Sequence, residues 1–345
     1  MFIYRMRFVV ILGTAVLVES FGLLSGLSMA SAKTWHLQHS LDWEQVSAQG
    51  QDRYLLAVAE IKQLVATGQT GAVAGAYEKL KKDFPEIAGP DLDAFFKAEI
   101  LFSRGKFTKA VRAYDRFLVE FSQSWLYETA LDRQFSIATA FLAGRKVKVL
   151  GIFKMRGYAE GVRVMEKITD RAGTAPIGVK ADVAVAENYE RRGKFDAAYS
   201  QWSLISSRYG GTGRIAKEAL LAMARCKHAA YRGQNYDVSN LVSAKSYYEN
   251  FRLRYPEDAK AYDIDKKIRQ IDGQLAYKQF SIGRYYQRTG NKQSANLYYQ
   301  MVLDGWSQTT AAKMAEEALE DKEPSGEKEK KWTERTIEEL EKWFL

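Results

Sequence analysis

Residues 193–210 read Gly193-Lys194-Phe195-Asp196-Ala197-Ala198-Tyr199-Ser200-Gln201-Trp202-Ser203-Leu204-Ile205-Ser206-Ser207-Arg208-Tyr209-Gly210, and their spacing decides the fold class. From Ala198, steps of four, three and four residues reach Trp202, Ile205 and Tyr209, and Gly210 closes the series. Those steps keep side chains on one face of an α-helix. Any amphipathic helix shows that much. The order is more specific: small, aromatic, aliphatic, aromatic, stop. A small residue lets a neighbouring helix approach, and the aromatic fills the space beside it. Gly193, five residues before Ala198, marks a turn out of a preceding helix.

The same order recurs on both sides. Ala110, Tyr114, Phe117 and Phe121 form one copy; Ala244, Tyr248, Phe251 and Tyr255 another; Ala295, Tyr299, Val302 and Trp306 a third. Val73, Tyr77, Leu80 and Phe84 also match, and Gly161, Met165, Ile168 and Ala172 form a weaker copy. Turn glycines precede the small position at Gly68, Gly105 and Gly290, and in two copies the glycine lies earlier, at Gly144 and Gly233. The preceding helices carry small residues of their own at Ala98, Ala186 and Gly283. Helix, glycine turn, helix, stop resembles the tetratricopeptide repeat over residues 51 to 310. The expected fold is therefore all-α: a solenoid of about six irregular hairpins across residues 51–320, each burying its apolar face on its neighbours.

The copies are irregular. Their small positions are 37, 51, 37, 46 and 51 residues apart, against about 34 in a regular array. Two inserts account for much of the excess. The first, residues 145–156, holds five basic residues and no acid, and reads equally as a solvated loop or a partner contact. The second runs through Asn235, Tyr236 and Asp237.

The ends depart from the array. Arg5 and Arg7 precede an apolar stretch from Phe8 to Val18 and a second from Phe21 to Leu27; Ala30-Ser31-Ala32 follows. This is the secretory pattern, so residues 1–32 are expected to be a signal peptide and the periplasm the destination. Glu19 inside the apolar stretch argues against a retained anchor. Residues 33–50 form a short segment whose Trp35, Leu37, Leu41 and Trp43 alternate as in a small hairpin. Residues 321–331, with Pro324, Ser325 and Gly326, read as a charged linker. Residues 332–345 read as an amphipathic helix with Trp332, Ile337, Leu340, Trp343, Phe344 and Leu345 on one side. That helix has two uses: packing on the last repeat, or docking into a partner groove.

Composition narrows the chemistry. The net charge of +9 suits anionic partners. Its basic residues are scattered among 42 acids without a nucleic-acid motif, so nucleic acid is not expected. Cys226 is the sole cysteine, which excludes an intrachain disulfide and leaves no lipid-attachment cysteine after the apolar segment. Cys226 stands where a small packing residue belongs, between Met223 and Ala229. His36, His39 and His228 lack the further ligands zinc requires. Gly210-Gly211-Thr212-Gly213-Arg214 follows a helix rather than a strand and has no Lys-Ser/Thr pair, so it is a connector. No catalytic, cofactor or metal residue is expected, and the chain does not read as an enzyme.

A repeat solenoid of this kind binds through the first helix of each hairpin. By spacing, the outward positions are Phe95, Glu99 and Phe102 in the second repeat, Glu187 and Arg191 in the fourth, and Arg284 and Arg288 in the sixth. The aromatics suit an extended peptide and the arginines an acidic protein surface.

Two stretches narrow the resemblance. Tyr247-Tyr248-Glu249-Asn250-Phe251-Arg252-Leu253-Arg254-Tyr255-Pro256 is followed, after a long helix, by Leu275-Ala276-Tyr277-Lys278-Gln279-Phe280-Ser281-Ile282-Gly283-Arg284-Tyr285-Tyr286-Gln287-Arg288-Thr289-Gly290. Together they resemble the C-terminal half of the BamD (YfiO-type) family, a component of the bacterial outer-membrane β-barrel assembly machine. The resemblance implies a scaffold whose N-terminal repeats receive unfolded outer-membrane protein segments and whose C-terminal repeats bind another assembly subunit. Two departures stand out: the family's N-terminal lipidated cysteine is absent, and there is about one repeat more. Association with the outer membrane would then run through partners. The alternative is a different periplasmic adaptor, for example one coordinating cell-wall synthesis with envelope constriction.

Overall fold

The computed structural model describes residues 35–37, 43–45, 48–149, 153–210 and 213–320. The expected signal segment, the linker and the terminal helix lie outside the described residues, as do Gly211 and Thr212 of the connector.

The chain divides into two compact units, residues 1–60 and 61–345. In the first, β1 (Trp35–Leu37) pairs antiparallel with β2 (Trp43–Gln45), with Leu37 and Trp43 in register. This is the hairpin that the alternation of Trp35, Leu37, Leu41 and Trp43 suggests. Helix α1 (Ala48–Ala66) follows and runs past the boundary.

The second unit is built of helices in pairs. After α2 (Thr70–Asp83) come α3 (Pro90–Ser103) with α4 (Phe107–Glu120), and α5 (Tyr127–Leu142) with α6 (Tyr158–Ala172). Then come α7 (Pro176–Arg191) with α8 (Phe195–Arg208), and α9 (Arg214–Ala229) with α10 (Ser239–Arg254). The short α11 (Pro256–Ala261) leads to α12 (Ile264–Arg288) with α13 (Lys292–Trp306), and α14 (Thr310–Glu320) ends the described array. From α3 onward each helix packs on its partner, and each pair on the next. The chain is an all-α tetratricopeptide-repeat solenoid.

The turns follow from glycine. At Gly193 the backbone has φ 66°, a left-handed conformation that a Cβ disfavours. It lets Lys194 N–H reach the Tyr189 carbonyl at 2.9 Å and Gly193 N–H reach that of Glu190 at 2.9 Å, satisfying carbonyls the helix end would leave bare. Gly68, Gly105, Gly290 and the displaced Gly144 and Gly233 also have positive φ.

The small-then-aromatic order explains the packing. Ala198, Trp202 and Ile205 of α8 are buried with Ala186 of α7 and Ala219, Met223 and Cys226 of α9. Each hairpin thus lends its aromatic residue to a core shared with the next. At Gly283 the aromatic partner comes so near that a Cβ would stand 2.6 Å from Tyr299 Cε1. At the C-terminal end, Ala311, Ala312, Met314 and Ala315 of α14 bury against Phe280, Tyr299 and Val302. They close an apolar face that a further repeat would otherwise cover.

The basic insert is not a loop. It forms strands β3 (Lys146–Val149) and β4 (Phe153–Arg156), paired antiparallel, with Gly157 N–H donating to the Arg145 carbonyl at 2.9 Å at the base. The alternation Lys-Val-Lys-Val and Phe-Lys-Met-Arg has the period of a strand, and valine favours it. The second insert is a turn, with Tyr236 N–H donating to the Gly233 carbonyl at 3.0 Å.

Polar links join the second helices across repeats. Asp115 on α4 accepts from Lys167 at 2.6 Å and Arg171 at 2.8 Å on α6, and from Gln134 at 2.9 Å on α5. Burial alone would raise the pKa of this carboxyl, but the three hydrogen bonds prevail and hold it below its ordinary value of 3.8. A carboxyl with a depressed folded pKa stabilises the fold above its unfolded pKa. That contribution is lost as pH falls through the folded value. The stability advantage of the native chain over Asp115→Asn is therefore expected at about pH 6 and should shrink steadily below about pH 4. Urea midpoints of the two proteins across that range check this, and a constant difference would refute it.

Candidate protein-binding surface

In three hairpins an aromatic of the second helix is hydrogen-bonded to a polar side chain of the first. The Trp202 indole N–H on α8 donates to Glu190 Oε1 on α7 at 2.5 Å, and the Tyr299 hydroxyl on α13 donates to Gln287 Oε1 on α12 at 2.6 Å. In the second repeat the Tyr114 hydroxyl on α4 donates to Glu99 on α3. Burial, with Glu99 beside it, pushes that phenol well above its ordinary range. Each carboxylate is then clamped from the next repeat. Arg225 on α9 holds Glu190 at 2.7 and 2.9 Å, and Arg133 on α5 holds Glu99 at 2.8 and 3.0 Å. Both are two-point guanidinium–carboxylate pairs, the strong form of the contact. Nothing in the small–aromatic spacing points to these acids. The available signal was an Arg 34 or 35 residues after each Glu, about one repeat on.

The expected contact residues divide. Phe95 is buried, its ring centroid 5.9 Å from Tyr114 and 5.7 Å from Phe117. Glu99 is buried in the clamp just described. Phe102 is half-buried, 5.4 Å from Phe107 and with the Arg133 guanidinium 5.2 Å over its ring. The assignment of Phe95 and Glu99 to an open groove is corrected, because both are buried, whereas Phe102 keeps part of its ring accessible. Phe95 stands three residues before the small position, a core position that Phe280 also fills in the sixth repeat. Glu99 is drawn in because the acid that meets the tyrosine shifts between repeats. Glu190 and Gln287 lie four residues after the small position, where the second repeat has Phe102; its carboxylate, Glu99, comes from one residue after.

On α7, Glu187 and Arg191 are exposed, one turn apart with charged atoms 3.9 Å from each other. On α12, Arg288 is exposed and Arg284 half-buried, close enough to Tyr277 and Tyr299 to act on their charge. Tyr285 between them is exposed, and Tyr286 stacks on Tyr298 at 5.5 Å. At the C-terminal end of α12 a tyrosine and an arginine are thus accessible on one turn.

A second cluster surrounds the base of the β3–β4 hairpin. The Arg145 guanidinium lies 4.5 Å over Phe107, and that of Arg192 lies 4.1 Å over Tyr158. Arg156 Nη1 donates to the Tyr158 hydroxyl at 2.8 Å. Sequence spacing singled out neither Tyr158 nor Arg192, because they meet only through the insert.

Cys226 is buried, and burial with nearby Glu190 pushes its thiol up to about 12. The thiol is thus protonated at neutral pH and packs as a small apolar side chain. His228 Nε2 lies 3.0 Å from Gln274 Oε1, and burial lowers its pKa. Among the described residues no cluster of three or more His, Cys, Asp or Glu is placed to hold a metal, and no helix is long and apolar enough to cross a membrane.

No family model matches this chain, and neither does any curated protein. Among solved structures, it is similar to the apo form of RapI at 14% identity, covering 73% of this chain and 97% of that one, with a TM-score of 0.34. It is also similar to PilW, described as a widely conserved type IV pilus biogenesis factor, at 16% identity, 78% and 99% coverage and a TM-score of 0.27. A third is the C-terminal part of a TPR repeat-containing protein from Cytophaga hutchinsonii, at 17% identity, 77% and 95% coverage and a TM-score of 0.34.

Proposed function

We propose that this protein is a non-enzymatic periplasmic scaffold that binds proteins during assembly and insertion of outer-membrane β-barrel proteins. The observation that carries the reading is the last repeat, where α12 shows Tyr285 and Arg288 outward while Gly283 and Tyr299 lock its other side. Helix α12 also carries residues 275–288 of one of the two stretches, 247–256 and 275–290, that resemble the assembly component. An exposed aromatic beside an arginine is the pairing most often found where interface energy concentrates.

Crosslinking in intact cells, followed by mass spectrometry, tests the assignment. Crosslinks to barrel-assembly subunits and unfolded outer-membrane proteins support it, whereas cell-wall synthases in their place would refute it. Tyr285→Ala with Arg288→Glu is expected to reduce the yield of such crosslinks by about tenfold, as loss of one interface anchor does. The thermal midpoint should move little, since both side chains are exposed. Unchanged crosslinking by the double variant would remove α12 from the interface.

A further inference from the structure

Strands β3 and β4 make a sheet of two strands, with Lys146 opposite Arg156 and Lys148 opposite Lys154. Directly paired residues share a face, as do residues two apart. Four cations therefore hold the register positions of one face, and Val147, Val149, Phe153 and Met155 those of the other. Like charges directly opposite weaken a strand pair, and a lone two-stranded hairpin is marginal in water. The charge is placed where the hairpin by itself gains nothing from it. The basic face continues onto the helical body through Tyr158, whose hydroxyl accepts from Arg156 and over whose ring Arg192 lies, while Arg145, at the base of the hairpin, lies over Phe107. A stacked guanidinium keeps its in-plane N–H groups for a carboxylate. Among the described residues, Arg145, Lys146, Arg156 and Arg192 make no ion pair with a carboxylate.

We infer that this hairpin receives an extended, acidic polypeptide segment, added as a third strand with its carboxylates at alternate positions beside the cations. The outer edges of a two-stranded sheet present N–H and C=O groups that an incoming strand can pair. The cations recur with a strand's period of two, so acids at every second residue meet them in step. A lipid surface fits less well: laying the apolar face into the bilayer would turn the cationic face away from the headgroups. Nucleic acid fits less well because the ring faces under Arg145 and Arg192 are not open to stacking bases. The inference rests on the scaffold reading only in taking the partner to be a polypeptide.

The test uses the purified full chain and a blocked decapeptide of alternating Glu and Thr. Controls are a peptide of the same composition with its Glu residues in one block, vesicles of phosphatidylglycerol in phosphatidylcholine, and a single-stranded oligonucleotide. The alternating peptide should bind, and the block peptide should bind several-fold more weakly. Lys146→Glu should weaken the alternating peptide by at least about tenfold. That variant sets Glu against Arg156 across the strands, which favours the folded hairpin, so the loss is not a loss of structure. Arg192→Ala, outside the hairpin, should weaken binding several-fold. The inference is overturned if the alternating peptide does not bind, if the block peptide or Lys146→Glu binds equally, or if vesicles or oligonucleotide bind as tightly. These measurements use pure components, so they stand or fall separately from the crosslinking that tests the envelope assignment.

Discussion

Trp202→Ala should lower stability by about 3–5 kcal/mol, the range for removing a buried aromatic without refilling its space. Trp202 is 1% exposed and packs with Ala186, Ala198, Ile205, Ala219 and Met223, which belong to three successive helices. Those helices are held at a distance set by small residues, so they close poorly over the void. The substitution also strips Glu190 of its indole donor, leaving the carboxylate to Arg225 and the Cys226 thiol. Trp202→Phe keeps much of the volume and loses the donor, and should cost less. In an array whose units touch only their neighbours, damage stays local first. Hydrogen exchange should accelerate in α7, α8 and α9 before the distant repeats respond. A loss below about 1 kcal/mol by denaturant titration would contradict the shared-core account.

Most of the fold was legible because its rules are local. Gly193, Ala198 and Trp202 each have one task, and each task leaves a mark at fixed spacing: a left-handed turn, a close approach, a filled gap. The ion-pair clamps were not legible, because Arg133 and Arg225 act on acids in the preceding repeat, 34 and 35 residues away, beyond the spacing of any one helix. Phe95 was misplaced because the position three before the small residue belongs to the core, as Phe280 in the sixth repeat also shows. Glu99 was misplaced because in the second repeat the carboxylate that meets the tyrosine moved from the position four after the small residue to the position one after. At residues 145–156, five basic side chains outweighed the period-two alternation that makes two strands. Charge reports on exposure, and exposed strands are common; the period of the apolar residues was the better guide.

Arg133→Ala should cost about 2–4 kcal/mol, a little under the range for breaking a fully buried ion pair. Glu99 keeps only 4% of its side-chain surface in solvent, whereas Arg133 keeps 25%. The asymmetry sets the sign of the comparison. Removing the arginine strands a carboxylate away from water, with the Tyr114 hydroxyl as its remaining donor. Removing the acid leaves a guanidinium that still lies over the Phe102 ring and can turn outward. Glu99→Gln should therefore be milder than Arg133→Ala, although the charges belong to one bond. Replacing both partners by methionine removes the stranded charge and keeps apolar volume beside Phe102, so the double variant should recover part of the loss, the remainder being the Tyr114 hydroxyl left without its acceptor. A cycle of single and double variants in urea measures this. If the double variant is as unstable as Arg133→Ala, uncompensated charge is not the cause, and the pair would instead be holding α3 and α5 at a spacing that packing alone cannot keep.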